Sequence, residues 1–192
     1  MKYYIAVFIA VFCMGCGGRI SMRQLEQLEV RVNDAPDSVL TVLTATDMPR
    51  WGEARALYAL LTVQAQDKSF IDVADDSLIC VATDYYATSS DARHRMLAFY
   101  YLSRVQYNMQ AYAQSIISAS RAEEEAITVS DDYYLGLIYR CMSENYNKTY
   151  NATEELRYIR MARDCFERAG YALHEQYARF NIAKASMPIR WM

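Results

Sequence analysis

From Met22 onward, apolar residues recur at helical rather than alternating intervals. "SMRQLEQLEVRVND" places Met22, Leu25, Leu28 and Val32 on one face, with Ser21 in position to cap the start. "APDSVLTVLTATD" follows, with Pro36 in the first turn and Val39, Leu40 and Leu43 on the apolar side. "MPRWG", Met48 to Gly52, is a break. Beyond it the pattern repeats. "LYALLTVQAQ", "FYYLSRVQYN", "YRCMSENYNK" and "RFNIAKASMP" align so that Leu60, Leu102, Met142 and Ile182 correspond, at spacings of 42, 40 and 40. The residues that follow are Leu61, Ser103, Ser143 and Ala183, mostly small, as a close helix crossing needs.

The first three of these segments are each followed by a polar break and a second helix, over 70–89, 111–129 and 152–169. In the first of these helices Ile71, Ala74, Leu78, Val81 and Tyr85 share a face. In the second, Ala111, Ser115, Ala119 and Ala122 form a small-residue seam beside Ile116. In the third, Leu156, Ile159, Ala162 and Phe166 line up. Each unit is a helix–turn–helix that cannot bury its apolar stripe alone, so the units must stack. The expected fold is all-α, an α-solenoid of antiparallel helix pairs. Its units span about 51–89, 92–129 and 131–169, with a terminal helix over 171–186. That last helix reads either as a cap or as the start of a longer array.

The pattern resembles the tetratricopeptide repeat. Leu102-Ser103 and Met142-Ser143 stand at its Leu-Gly pair, Tyr146 at its Tyr, and Ser115, Ala119, Ala122 and Ala162 at second-helix packing positions. Gln106 and Glu155 depart from the pattern, and the period is longer than the family's, which keeps HEAT-type repeats as an alternative. "PDSVLTVL", "YALL" and "SLICVATDYY" further resemble the tetratricopeptide sensor regions of Bacteroidetes exported proteins. That resemblance implies a binding or sensory role and carries no catalytic motif.

Composition supports this outline. Apolar residues make up 53% and charged residues 22% of 192 residues, enough for a sizeable core. A net charge of -3 leaves no broad basic field, which argues against nucleic acid as a partner. The N-terminus is different in kind. Lys2, then "YYIAVFIAVF", then "CMGC" has the proportions of an export signal and is short for a bilayer span, which takes about 20 residues. It resembles a bacterial lipoprotein signal over 1–15. Cys16 would then be lipidated, residues 16–20 would be a tether and 21–192 the repeat domain. Cys13 departs from that pattern, and an ordinary cleaved signal or an uncleaved anchor are the alternatives. The protein is expected to be exported and held at a membrane through Cys16, facing the periplasm.

Candidate chemistry is sparse. His94 and His174 lack metal-ligand spacing and read as solvent-facing. Cys80, Cys141 and Cys165 read as small buried hydrophobes, with a Cys141–Cys165 bridge as the alternative. Neither a phosphate-binding glycine loop nor a nucleophile elbow is present, so no cofactor or reaction is implied. The acidic runs Glu123–Glu125 and Asp131–Asp132 bracket a helix end and a helix start, and the basic series Arg157, Arg160, Arg163 and Arg168 reads as a solvated face, with anionic lipid headgroups or an acidic partner as the alternative. First helices line the groove of a tetratricopeptide stack. On that resemblance Tyr100, Arg104, Tyr107 and Asn108 face it from one unit, and Arg140, Glu144, Asn147 and Lys148 from the next. Aromatic and Arg side chains together suit a protein or peptide ligand.

Overall fold

Helix-starting side chains divide the chain as the sequence suggests. In the computed structural model, which describes residues 18–186, regular structure is helical: α1 (Met22–Arg31), α2 (Pro36–Thr44), α3 (Gly52–Lys68), α4 (Ser77–Tyr86), α5 (Ala92–Asn108), α6 (Tyr112–Val129), α7 (Asp132–Lys148), α8 (Ala152–Arg168) and α9 (Ala172–Ala185). Ser21 and Gln24 form a reciprocal capping box on α1, and Pro36 opens α2 where no amide hydrogen is required. Asp91, Asp131 and Asn151 each accept a hydrogen bond from a backbone amide in the first turn of α5, α7 and α8.

These landmarks recur at a fixed interval. The caps of α3, α5, α7 and α9 are Trp51, Asp91, Asp131 and Tyr171, each forty residues after the last. Phe70, Gln110 and Tyr150, left-handed residues that end the first helix of a unit, keep the same interval, as do Ser130 and Gly170 at the ends of α6 and α8. A left-handed residue stops a helix by turning the chain away from its axis. The backbone therefore corrects the alignment at its first member. Leu102, Met142 and Ile182 correspond, but their counterpart in α3 is Thr62, and Leu60 corresponds to Tyr100 and Arg140. Sequence spacing misplaces α3 because Ala56 through Ala65 are all buried, leaving no polar stripe to mark its register.

That burial comes from two sides. Leu57, Tyr58, Leu61 and Ala65 pack against Leu25, Leu28, Val32, Val39 and Leu43 of the N-terminal pair, and the Tyr58 hydroxyl donates to the Leu43 carbonyl at 2.7 Å. Ala56, Ala59, Leu60 and Val63, offset around the same helix, join the core that runs on through the later helices. Each helix packs on the next in sequence, and α3, α5 and α7 also touch one another in order.

The second helices share one packing scheme. Ala82, Ala122 and Ala162 occupy one position, all fully buried; Ile79, Ala119 and Ile159 occupy another. Small side chains let the helices approach closely. Where one member of a pair is large, its counterpart is small. Gly136 of α7 lies so close to Phe166 of α8 that an added Cβ would stand 2.7 Å from the ring. The corresponding pair in the preceding unit is Met96 and Ala126, and in the first Ala56 and Tyr86, with the large residue on either helix.

Two further expectations need correction. The second helix of the first unit begins at Ser77, not Phe70. Phe70 turns left-handed, and the Asp75 carboxylate accepts from the Ser77 amide, holding a non-helical approach. Its buried face is Ile79, Ala82, Thr83 and Tyr86, one residue round from the expected stripe, and Ile71 is exposed. The expected tether also ends early: Ile20 is buried with α1 and α2, and Arg19 bridges to Asp47. Cys80, Cys141 and Cys165 are free thiols, so the bridge is not made; burial pushes the Cys141 and Cys165 thiols above their ordinary range. The signal over 1–15 and Cys16 lie outside the described residues. No described helix is long and apolar enough to cross a membrane.

Candidate functional site

Because α3, α5 and α7 touch in order, residues forty apart stack into rows across them. One row is Gln64, Arg104 and Glu144; the next turn along supplies Asp67, Tyr107 and Asn147, then Lys68, Asn108 and Lys148. The first row is an internal strap. Arg104 donates to Asp67 at 3.0 Å on one side and to Glu144 at 3.0 Å on the other, with 18% of its side chain exposed. Burial works against its charge, but Tyr100, Asp67 and Glu144 more than offset this and push its pKa up. Three helices are thus tied by one guanidinium, through its Nε and one terminal nitrogen.

Tyr100 does not face a groove. It is 2% exposed, edge-on to Tyr101 and Tyr134, at the position Leu60 holds in α3. The period explains this: that column points between units. Asn108 faces the surface, with its amide donating to the Val73 carbonyl at 3.1 Å, which ties down the non-helical approach to α4.

Tyr107, Arg140, Glu144, Asn147 and Lys148 do come together. With Ser143, Glu155 and Ile159 of the same helix pair, and Tyr177, Asn181 and Lys184 of α9, they line a cleft of about 190 Å³. A shallower hollow shares Tyr107 and Lys148 and adds Asn108, Asp72 and Tyr112. Sequence reasoning drew its groove residues from two units alone and so missed the α9 wall. The signal was there: Lys184 sits forty residues after Glu144 and eighty after Arg104.

The polar groups of the cleft are unevenly satisfied. Glu155 accepts from Asn147 at 2.9 Å, and Glu144 is held by Arg104. Arg140 reaches Glu144 only at 3.6 Å, and its Nε is buried without a hydrogen-bond partner. Burial opposes its charge too, yet Tyr100 and Glu144 prevail and its pKa is raised, so it stays cationic. Burial, with Glu144 second, pushes Tyr107 up to about 12, so its phenol stays protonated. His174 is lowered by burial and then by the positive charges of Arg140 and Lys68; Lys68 is itself lowered, mainly by burial. Arg140 is thus close enough to both Lys68 and His174 to disfavour their protonation, with Glu144 as its own counter-charge.

The remaining candidates are structural. His94 is not solvent-facing. It is 13% exposed, stacks on Tyr86, and binds Asp91 at 2.6 Å and Glu29 of α1 at 3.0 Å. His174 packs among Phe166, Tyr133 and Tyr171. Within the acidic run, Glu125 takes two hydrogen bonds from Arg95, and Glu123 accepts from the Tyr139 hydroxyl. On α8, Arg157, Arg163 and Arg168 pair with Glu154, Asp164 and Asp132. No group of three metal-binding side chains occurs among the described residues. No protein-family model, curated protein or solved structure matches the chain.

Proposed function

We propose that the chain is a tetratricopeptide-like α-solenoid serving as a protein- or peptide-binding scaffold in a bacterial envelope, exported and held at a membrane through a lipidated Cys16. The observation that carries the reading is the forty-residue recurrence of caps, left-handed stops and buried alanines across successive helix pairs. Such arrays are sums of neighbour contacts, and they present extended concave surfaces suited to extended or helical ligands. The cleft at Tyr107, Arg140 and Lys148 lies where first helices of successive units meet α9, the side such arrays use.

The test is photo-crosslinking in cells from Asn147, whose side chain borders the cleft. A discrete crosslinked protein, absent when the photoreactive group is placed on the far side at Thr128, supports the scaffold. Identical patterns from both positions count against it. Mass spectrometry of the same sample reads the modification on Cys16; an unmodified thiol removes the lipid anchor. A second reading, a sensory input region, is favoured by the exposed stripe of Leu173, Tyr177 and Phe180 on α9, a face suited to coupling with a following element. An in-frame transmembrane segment in the downstream DNA would select it.

A further inference from the structure

The start of α3 departs from the scheme of its counterparts. Where α5 and α7 begin with Asp91 and Asp131, each capping the helix through its carboxylate, α3 begins with Trp51, which makes no side-chain capping bond. Forgoing such a cap weakens a helix start. Tyr171, at the start of α9, also makes no cap, but it stacks on Tyr133 at 4.2 Å. Packing gives Trp51 no such return: the residue is 74% exposed. The chain emerges beside it. Arg19 bridges to Asp47, four residues before Trp51. Only Gly17 and Gly18 separate Arg19 from Cys16, and three residue steps span at most about 11 Å.

We propose that this end of the molecule, formed by the start of α1 and the α2–α3 connection, is a membrane-facing surface, with Trp51 at headgroup level and Arg19, Arg23, Arg50 and Arg55 against anionic lipid. The inference rests on the lipid-anchor reading and adds the face which that anchor presses down. A lipid on Cys16 holds Arg19 within about a Debye length, roughly 10 Å, of the headgroups, where charge attraction is still felt. The charges there suit such a surface. Segments 18–26 and 44–55 carry those four arginines against Glu26, Asp47 and Glu53, in a chain whose net charge is -3. None of the four forms an ion pair among the described residues, whereas eight later arginines do. The Arg55 guanidinium donates to the Arg50 carbonyl at 3.0 Å, which keeps these two beside Trp51. An indole, apolar with one polar N–H, is suited to the boundary between headgroups and acyl chains. The contact need not be strong, because the anchor already supplies a high local concentration of lipid. Phe70 is as exposed, at 94%, but stands beyond the other end of α3, whose seventeen residues span about 25 Å. That is further than the tether reaches.

The experiment is energy transfer from tryptophan to dansyl-labelled headgroups. The protein is purified from membranes and reconstituted on vesicles of phosphatidylethanolamine and phosphatidylglycerol. Trp191→Phe leaves Trp51 as the one tryptophan. In the same background, Trp51→Phe with Phe70→Trp moves the reporter to the other end of α3. Transfer from position 51 is expected to exceed that from position 70 roughly twofold or more, and to fall as salt is raised. Phosphatidylcholine in place of phosphatidylglycerol should lower it. So should Arg23→Gln with Arg50→Gln, at exposed positions that do not threaten folding. Equal transfer from the two positions overturns the proposal, as does a position 51 signal indifferent to phosphatidylglycerol or to the arginines. Mass spectrometry of the same preparation separates the two failures. An unmodified Cys16 removes the anchor and this face with it; a lipidated Cys16 with equal transfer removes the face alone.

Discussion

Helices α3 and α9 occupy the same place in the forty-residue period, yet they live in opposite surroundings. Helix α3 is enclosed by the N-terminal pair on one side and the continuing core on the other, with ten consecutive positions buried. Helix α9 buries Ala178 fully and leaves Leu173, Tyr177 and Phe180 largely exposed. Equivalent positions thus do different work according to how many neighbours cover them. In a stacked array, stability comes from being flanked, and binding surface comes from being left open.

The contrast is open to direct attack. Leu60→Ala removes a fully buried side chain from the flanked helix and should cost about 2–5 kcal/mol, seen as a large drop in thermal midpoint. A loss within the range of a surface substitution would mean that α3 is not the keystone described here.

The next effect concerns the join between the flanked end and the first full unit, where His94 ties α1 to α5. Burial opposes its protonation, but Glu29 and Asp91 outweigh burial and hold its pKa at about 8. A raised folded-state pKa gives stability that is complete below the unfolded value and fades as pH rises through the folded one. The loss should fall between about pH 6.5 and 8 and amount to roughly 2 kcal/mol. Urea denaturation across that window should show it in the native chain and not in His94→Gln. Equal pH slopes in both would detach the effect from this residue.

Gly136→Ala tests the fit between α7 and α8. Alanine favours the helix by up to about 1 kcal/mol, but its methyl must displace the Phe166 ring. A net loss of about 1–2 kcal/mol is expected, recovered in part by Phe166→Leu in the double variant. Additive losses would show that the two positions do not share space. The smallest effect belongs to the open end: Phe180→Ala, at 66% exposure, should change stability by no more than about 0.5 kcal/mol. Hydrogen exchange of α9 amides should be faster than that of α3 in the same sample.

Much of this was legible in the residues. Ser21 and Pro36 announce helix starts, and the seam of Ser115, Ala119 and Ala122 announces a close crossing. What was not legible has physical causes. A helix buried on all sides carries no polar stripe, so Leu60 was placed two positions out of register. The Phe70 segment has apolar residues at helical spacing but ends up exposed, because the left-handed turn and the Asp75–Ser77 contact delay the helix. Tyr100 and Arg140 share a column, and only the stacking of helices shows that the first is sealed between units while the second reaches the cleft. One partner of His94, Glu29, comes from α1, sixty-five residues away, which no local pattern reports.

The interval itself has a consequence for how such a chain can change length. Ser130 and Gly170 end one unit in the left-handed conformation, and Asp131 and Tyr171 begin the next, so these two seams share one backbone geometry. Gly136 with Phe166, and Met96 with Ala126, sit inside units rather than across seams. The segment from Asp131 to Gly170, bounded by those two seams, is therefore the block best suited to duplication as a whole, with its internal volume matching carried along. Growth by copying whole blocks is a smaller evolutionary step for this protein than the insertion of a single residue within one.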